Sequence, residues 1–313
     1  MLRGMSAAWH PLLQPSAAVA AARAAGRPLV ALESTIVAHG MPWPKNLETA
    51  RAVEAVVRAQ GAEPATIAVM DGRLCLGLDD AALERLARAG PAATKLSRRD
   101  LPAALAFGTL GATTVAATMI GAALAGIEVF VTGGIGGVHR GAARSFDISA
   151  DLQELARTPV VVVCAGAKSI LDIDLTLEYL ETHGVPVLSC GHDEFAAFYV
   201  RGSGRRADLR LDEPAAQARF VRTKWALGLA GGVLLSTPVP EADALARDEV
   251  DGWIDEALAE AERRQVRGKA ITPFLLAHIE RASGGRSLAA NIALVKHNAE
   301  VGARLALALA AAA

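Results

Sequence analysis

Lys168 stands at the mouth of one of the most apolar stretches of the chain, Pro159-Val-Val-Val-Val-Cys-Ala-Gly-Ala-Lys168-Ser169. The valine run predicts a strand buried on both faces. Gly166 marks the turn at its C-terminal end, where open α/β sheets hold their ligands. Among 32 basic residues only six are lysines, at 45, 95, 168, 224, 269 and 296, so arginine is the default cation. A lysine in this place points to amine chemistry, because a partly desolvated lysine can deprotonate and form an imine and an arginine cannot. The competing reading is a surface lysine that ends a strand. Glu33 directly follows the apolar run Pro28-Leu-Val-Ala-Leu32, which sets a carboxylate at another strand end, a place suited to proton transfer.

Other segments supply binding groups. Thr132-Gly-Gly-Ile-Gly-Gly-Val-His-Arg140 is rich in backbone amides without a Cβ in the way, which suits phosphate oxygens. Its glycine spacing is not that of the dinucleotide fingerprint. Ala165-Gly-Ala-Lys-Ser169 resembles the end of a P-loop, but Ala167 and Val162 stand where that motif requires glycine, so nucleotide hydrolysis is not expected. Asp147 alone is a weak hard-metal ligand that leaves other positions to water. Asp151 reads either as a substrate contact or as the N-cap of a helix over 152–157, with Glu154 completing a capping box. Asn291, Val295 and Asn298 share one helical face, where the amides either bond between helices or look into a cavity.

The elements that must position these groups alternate. Strands are expected at Pro28–Leu32, Ala65–Met70, Leu74–Gly77, Ile127–Thr132, Val160–Cys164, Pro186–Ser189 and Gly232–Leu235. Helical patterns fill most of the intervals, including one over Glu241–Arg263, and two more helices close the chain. This predicts a three-layer α/β/α sandwich around a mixed, mostly parallel sheet. No linker or charge block divides the chain, so one domain is expected over residues 1–313, with 1–15 as a flexible tail. The loops at His39–Pro44, Thr132–Arg140 and Gly202–Arg206 should meet the Lys168 turn on one rim of the sheet.

With 33 acidic residues against 32 basic ones, the net charge is −1, so a nucleic-acid polymer or anionic membrane surface finds no electrostatic footprint. Cys75, Cys164 and Cys190 lie far apart in apolar runs, as reduced core thiols do. No apolar segment is long enough to span a bilayer. These features place the protein in the cytoplasm.

The segments Ala31-Leu-Glu-Ser-Thr-Ile-Val-Ala-His-Gly-Met-Pro42, Val131–Arg140, Phe146-Asp-Ile-Ser-Ala-Asp151, Cys164-Ala-Gly-Ala-Lys-Ser-Ile-Leu-Asp172 and Asn291–Asn298 together resemble the pseudouridine-5′-phosphate glycosidase family, which includes indigoidine synthase A-like proteins. The resemblance runs from about residue 28 to the C-terminus. It implies reversible cleavage of the C–C glycosidic bond of pseudouridine 5′-phosphate to uracil and ribose 5-phosphate, a homotrimer, and a divalent metal, usually Mn2+. On that basis Lys168 would form an imine at C1′ of the ring-opened ribose and Glu33 would donate the proton. Asp147 would hold the metal, and Lys95, Val115, Ser149, Ala150 and Asp151 would contact substrate, with Thr132, His139 and Asn291 as further pocket residues. Two rivals stand beside this reading: another Lys-imine lyase or pigment-pathway relative acting on a related sugar phosphate, and a non-catalytic sugar-phosphate-binding trimer. Lys45, Ala196 and Thr237 depart from the residues frequent in relatives.

Overall fold

The strand expected from the valine run, Val161–Cys164, lies near the centre of an 11-stranded sheet with every residue buried. A computed structural model describes residues 9–312. Nine strands follow the spatial order Leu13–Pro15, Arg73–Leu76, Glu63–Met70, Leu29–Leu32, Val129–Val131, Val161–Cys164, Val233–Ser236, Val187–Ser189 and Leu209–Arg210. From Glu63–Met70 onward along this path every pairing is parallel. The hairpin at Met70–Arg73 and the strand Gly111–Thr113, both antiparallel to Glu63–Met70, make the sheet mixed. Thr94–Leu96 joins it by pairing in parallel with Gly111–Thr113.

Helices cover both faces. Lys45–Ala59, Pro214–Ala226 and Arg286–Ala311 pack together on one side, and Val115–Ala125, backed by Ala150–Leu155, packs on the other. The long C-terminal helix comes very near the sheet at Gly302, where a Cβ would stand 2.2 Å from Val131 Cγ2. Small residues replace aromatic packing here, as a chain with 4% aromatics requires. No helix among the described residues is long and apolar enough to cross a membrane.

Three expectations need correction. The tail expected over 1–15 is not what residues 13–15 form: Leu13–Pro15 is an edge strand parallel to Arg73–Leu76, and residues 1–8 lie outside those described. Leu74 N donates to Leu12 O at 3.0 Å and the Arg73 guanidinium to Pro11 O at 2.6 Å, so partners from a hairpin distant in sequence hold this segment. The helix expected over Glu241–Arg263 is interrupted; a 3-10 turn at Glu241–Asp243 precedes the helix Arg247–Arg263. Leu245 N donates to Tyr199 O at 2.9 Å, which takes that amide away from helical pairing. Asp151 does not cap its helix. Ser149 does, its Oγ accepting from Asp151 N at 3.2 Å.

Candidate active site

The C-terminal ends of the central strands open into a cavity of about 520 Å³. Glu33 enters it from the end of Leu29–Leu32 and Lys168 from the turn after Val161–Cys164, two parallel strands on either side of Val129–Val131 that carry a carboxylate and an amine to the same space. Lys95, Val115, His139, Asp147, Ser149, Ala150, Asp151 and Asn291 also line it. Thr132 does not. It lies behind Glu33, and its hydroxyl donates to Glu33 Oε1.

Glu33 is buried, and both of its carboxylate oxygens are held, since Thr35 donates its hydroxyl to Oε2. A carboxyl group held at both oxygens is fixed in one orientation. The Asn298 side chain keeps Thr132 in register from the opposite layer, donating to Thr132 O at 2.8 Å and Gly133 O at 3.3 Å. Thr237 donates in turn to Asn298 Oδ1, so the support of Glu33 extends to this residue. Asn298 bonds between elements, whereas Asn291 faces the cavity with its Oδ1 unpartnered.

The Lys168 turn depends on close backbone approach. Gly166 has φ +77°, and a Cβ on it would meet Ala196 O at 1.9 Å, so neither the conformation nor the space admits a side chain. Lys168 N donates to Ile135 O at 3.1 Å, which ties this turn to the Gly-rich segment. Phe198, at φ +63° and buried, forms an apolar wall of the cavity over Gly134, whose Cβ would stand 2.7 Å from the ring. Ala196 N donates to Ser236 Oγ at 2.9 Å, a bond that a proline there could not make.

Another part of the wall is suited to an anion. Lys95 and the N-terminus of the Val115–Ala125 helix lie side by side through the pairing of Thr94–Leu96 with Gly111–Thr113. A helix N-terminus carries partial positive charge, which adds to the lysine. Asp151 organises this end: it accepts from Ala116 N at 3.0 Å and Gly136 N at 2.9 Å, joining the helix start to the Gly-rich turn. At Gly136 a Cβ would lie 2.2 Å from Ser149 Oγ, so glycine is required there by packing. Arg98, also on the cavity, is gripped by Glu154 at 2.7 and 2.8 Å, and the Thr158 hydroxyl donates to the same carboxylate.

His139 and Asp147 are joined by a backbone bond, His139 N to Asp147 O at 3.0 Å. Burial holds the His139 imidazole below its ordinary value; Asp147 pulls the other way, and Lys95 and Lys168 add to the lowering. Asp147, Lys95 and Lys168 therefore all act on His139. No group of three or more His, Cys, Asp or Glu among the described residues could cage an ion. One half-buried carboxylate beside a roomy cavity fits a hard cation that keeps most of its water, and it does not fit a metal held by protein ligands alone.

Some sequence signals resolve differently. Gly202–Arg206 does not reach this cavity; Ser203 and Arg205 line a separate one of about 300 Å³ with Ser169. Burial pushes the Cys164 thiol up to about 12, as befits an inert core residue. Lys224, also buried, is structural, its Nζ donating to the carbonyls of Leu229, Ala230 and Gly231. Sequence reasoning left out His39 and Thr114 as site residues. Both line the cavity, and His39 Nε2 and Thr114 Oγ1 are buried without a partner among the described residues. His39 closes the helix Thr35–His39, a β-branched segment whose composition does not suggest a helix.

The model of the family described as indigoidine synthase A like protein matches residues 18–308. A relative from Cupriavidus pinatubonensis named pseudouridine-5′-phosphate glycosidase is 74% identical over 298 residues, 95% of each chain. One of the same name from Solibacter usitatus is 60% identical over 90% of this chain and 93% of its own. Among solved structures, the prealnumycin C-glycosynthase AlnA in complex with ribulose 5-phosphate superposes with TM-score 0.89 and 43% identity, covering 97% of this chain and 98% of its own. An indigoidine synthase A-like protein from Thermotoga maritima gives TM-score 0.87 at 33% identity, with 96% and 97% covered.

Proposed function

The chain belongs to the family of indigoidine synthase A like proteins, and on that premise we propose that it is an enzyme that reversibly cleaves the C–C glycosidic bond of pseudouridine 5′-phosphate, giving uracil and ribose 5-phosphate. The observation that carries this reading is the meeting of Glu33 and Lys168 in one cavity that also holds Lys95 and a helix N-terminus. An ordinary glycosidase uses two carboxylates and expels a heteroatom. Uracil C5 is a poorer leaving group, so breaking its bond to C1′ needs an electron sink, which an amine supplies.

In this reading the neutral Lys168 amine adds at C1′ and the ring oxygen leaves with a proton. When the C1′–C5 bond breaks, its electron pair goes to C5, Glu33 protonates C5, and the lysine nitrogen lone pair forms the C1′ iminium. Water then hydrolyses the iminium, which frees ribose 5-phosphate, restores the amine and returns a proton to Glu33. Lys95 and the Val115–Ala125 helix start would hold the 5′-phosphate, and Phe198 would limit water at the reacting bond. Asp147 would hold a divalent cation, Mn2+ in our reading, which supplies electrostatic stabilisation of bound oxygen atoms. A cytoplasmic homotrimer completes the proposal.

Phosphate recognition remote from the reacting bond supports the chemical step as well as affinity. The test is uracil release from pseudouridine 5′-phosphate and from pseudouridine. The nucleoside should react far more slowly, by roughly 10³-fold or more in kcat/KM, and comparable values would overturn the assignment. The C-glycosynthase neighbour with its pentulose 5-phosphate favours one second reading, a site that takes the same sugar phosphate but another carbon nucleophile. Failure to release uracil together with imine formation on ribose 5-phosphate would select it. For the metal, EDTA should suppress activity and Mn2+ restore it, and full activity of Asp147→Ala without added metal would remove the ion from the site.

A further inference from the structure

His39 is buried in large part and is not used by the chemistry above. Its Nε2 is buried and has no hydrogen-bond partner among the described residues. A buried polar atom without a partner calls for an explanation, commonly a ligand. Three observations say which ligand. The Thr35–His39 helix packs on the strand Gly111–Thr113 and on the turn Gly90–Ala92, which bring the imidazole to Lys95. The neighbouring Thr114 hydroxyl, at the start of the Val115–Ala125 helix, is likewise buried and unpartnered. Both side chains line the cavity together with Lys95.

We propose that His39 is a ligand of the substrate's 5′-phosphate: on binding, Nε2 takes up a proton and donates it in a hydrogen bond to a phosphate oxygen, beside the Lys95 ammonium. The inference rests on the reading that the substrate is a pentose 5-phosphate. In the free protein burial, and then Lys95, hold the His39 imidazole below its ordinary value of 6.5, so at pH 8 the ring is neutral. A phosphate monoester is a dianion above its second pKa of about 6. Such an anion reverses the local balance, because an opposite charge at hydrogen-bond distance favours the charged imidazole. Lys95 is the charge that acts on the ring from its neighbouring strand. Glu33, Asp147, Lys168 and Arg98 line the same cavity, and His139 and the neutral Lys168 amine are groups there that could also take a proton.

Calorimetric titration of ribitol 5-phosphate, an alditol with no carbonyl to form an imine with Lys168, at pH 8 in buffers of different ionisation enthalpy, reads the protons taken up. The ligand is already dianionic at that pH and leaves the Lys168 amine unreacted, so imine formation contributes nothing to the uptake. We expect about one proton per site in the wild type. His39→Gln should lose this uptake and weaken ribitol 5-phosphate roughly 10–100-fold, while His139→Gln should keep the uptake. Wild-type protein that binds ribitol 5-phosphate without proton uptake would overturn the role of His39 and leave the functional reading intact. Uptake that persists in His39→Gln and disappears in His139→Gln would overturn it too. If His39→Gln does not fold, the wild type and His139→Gln still decide the matter. A wild type that neither binds ribose 5-phosphate nor releases uracil would overturn the underlying function instead.

Discussion

Lys168→Arg is expected to release no uracil from pseudouridine 5′-phosphate, and Lys168→Ala to behave in the same way. Both should fall by roughly 10⁴-fold or more, the scale on which loss of a covalent nucleophile is felt. The arginine variant is the informative one. Arginine stays cationic and holds phosphate at least as well as lysine, so a purely electrostatic role for Lys168 predicts substantial residual activity. A nucleophilic role predicts none, because guanidinium neither deprotonates nor forms an imine. The fold should tolerate the change: Lys168 is half-buried at the edge of the cavity, and the turn is set by the Gly166 backbone and by Lys168 N to Ile135 O. Borohydride added with ribose 5-phosphate should leave a stable adduct on the wild-type protein, mapped by mass spectrometry to the peptide containing Lys168. An adduct on Lys95 would exchange the two lysine roles. An active Lys168→Arg enzyme with no adduct anywhere would end the imine mechanism.

Glu33→Gln should lower uracil release by about 10²–10⁴-fold, the usual cost of losing a general acid. Its fold should hold, because the amide can still accept at its oxygen and donate at its nitrogen, and the Thr35 and Thr132 hydroxyls can each rotate to suit. Binding of ribose 5-phosphate should be near normal, since that product lacks the carbon to which Glu33 delivers its proton. Glu33→Ala is the less clean variant. It strips a partner from both hydroxyls, at a cost of about 1–3 kcal/mol where a buried donor is left unpaired, so its stability should fall together with its activity. Near-normal turnover of Glu33→Gln, measured as kcat with saturating substrate, would leave Glu33 as a strand-end carboxylate with a structural role only.

Much of this protein was legible in the chain because its signals are local. A β-branched run that ends in Gly166 and Lys168, and an apolar run that ends in Glu33, carry burial and strand direction within a few residues. Parallel strands of one sheet then bring both ends to the same rim. The layered fold follows from alternation of the same kind. What tertiary structure alone decided are the contacts whose partners lie far apart in sequence. Glu33 is oriented by Thr132, 99 residues away, and Thr132 by Asn298, 166 residues further on. Asp151 has the local pattern of a helix cap, yet its carboxylate serves amides at Ala116 and Gly136, because those two segments reach it first. Leu13–Pro15 has too few residues to show a period, and its strand exists only because Arg73–Leu76 offers an edge. The unpartnered His39 Nε2 is of the same sort: a motif names the residue, but only the packing around it reveals that the described residues supply no partner. Propensity and period act over a few residues, whereas orientation of a side chain depends on everything packed against it, and that information is held by the tertiary structure.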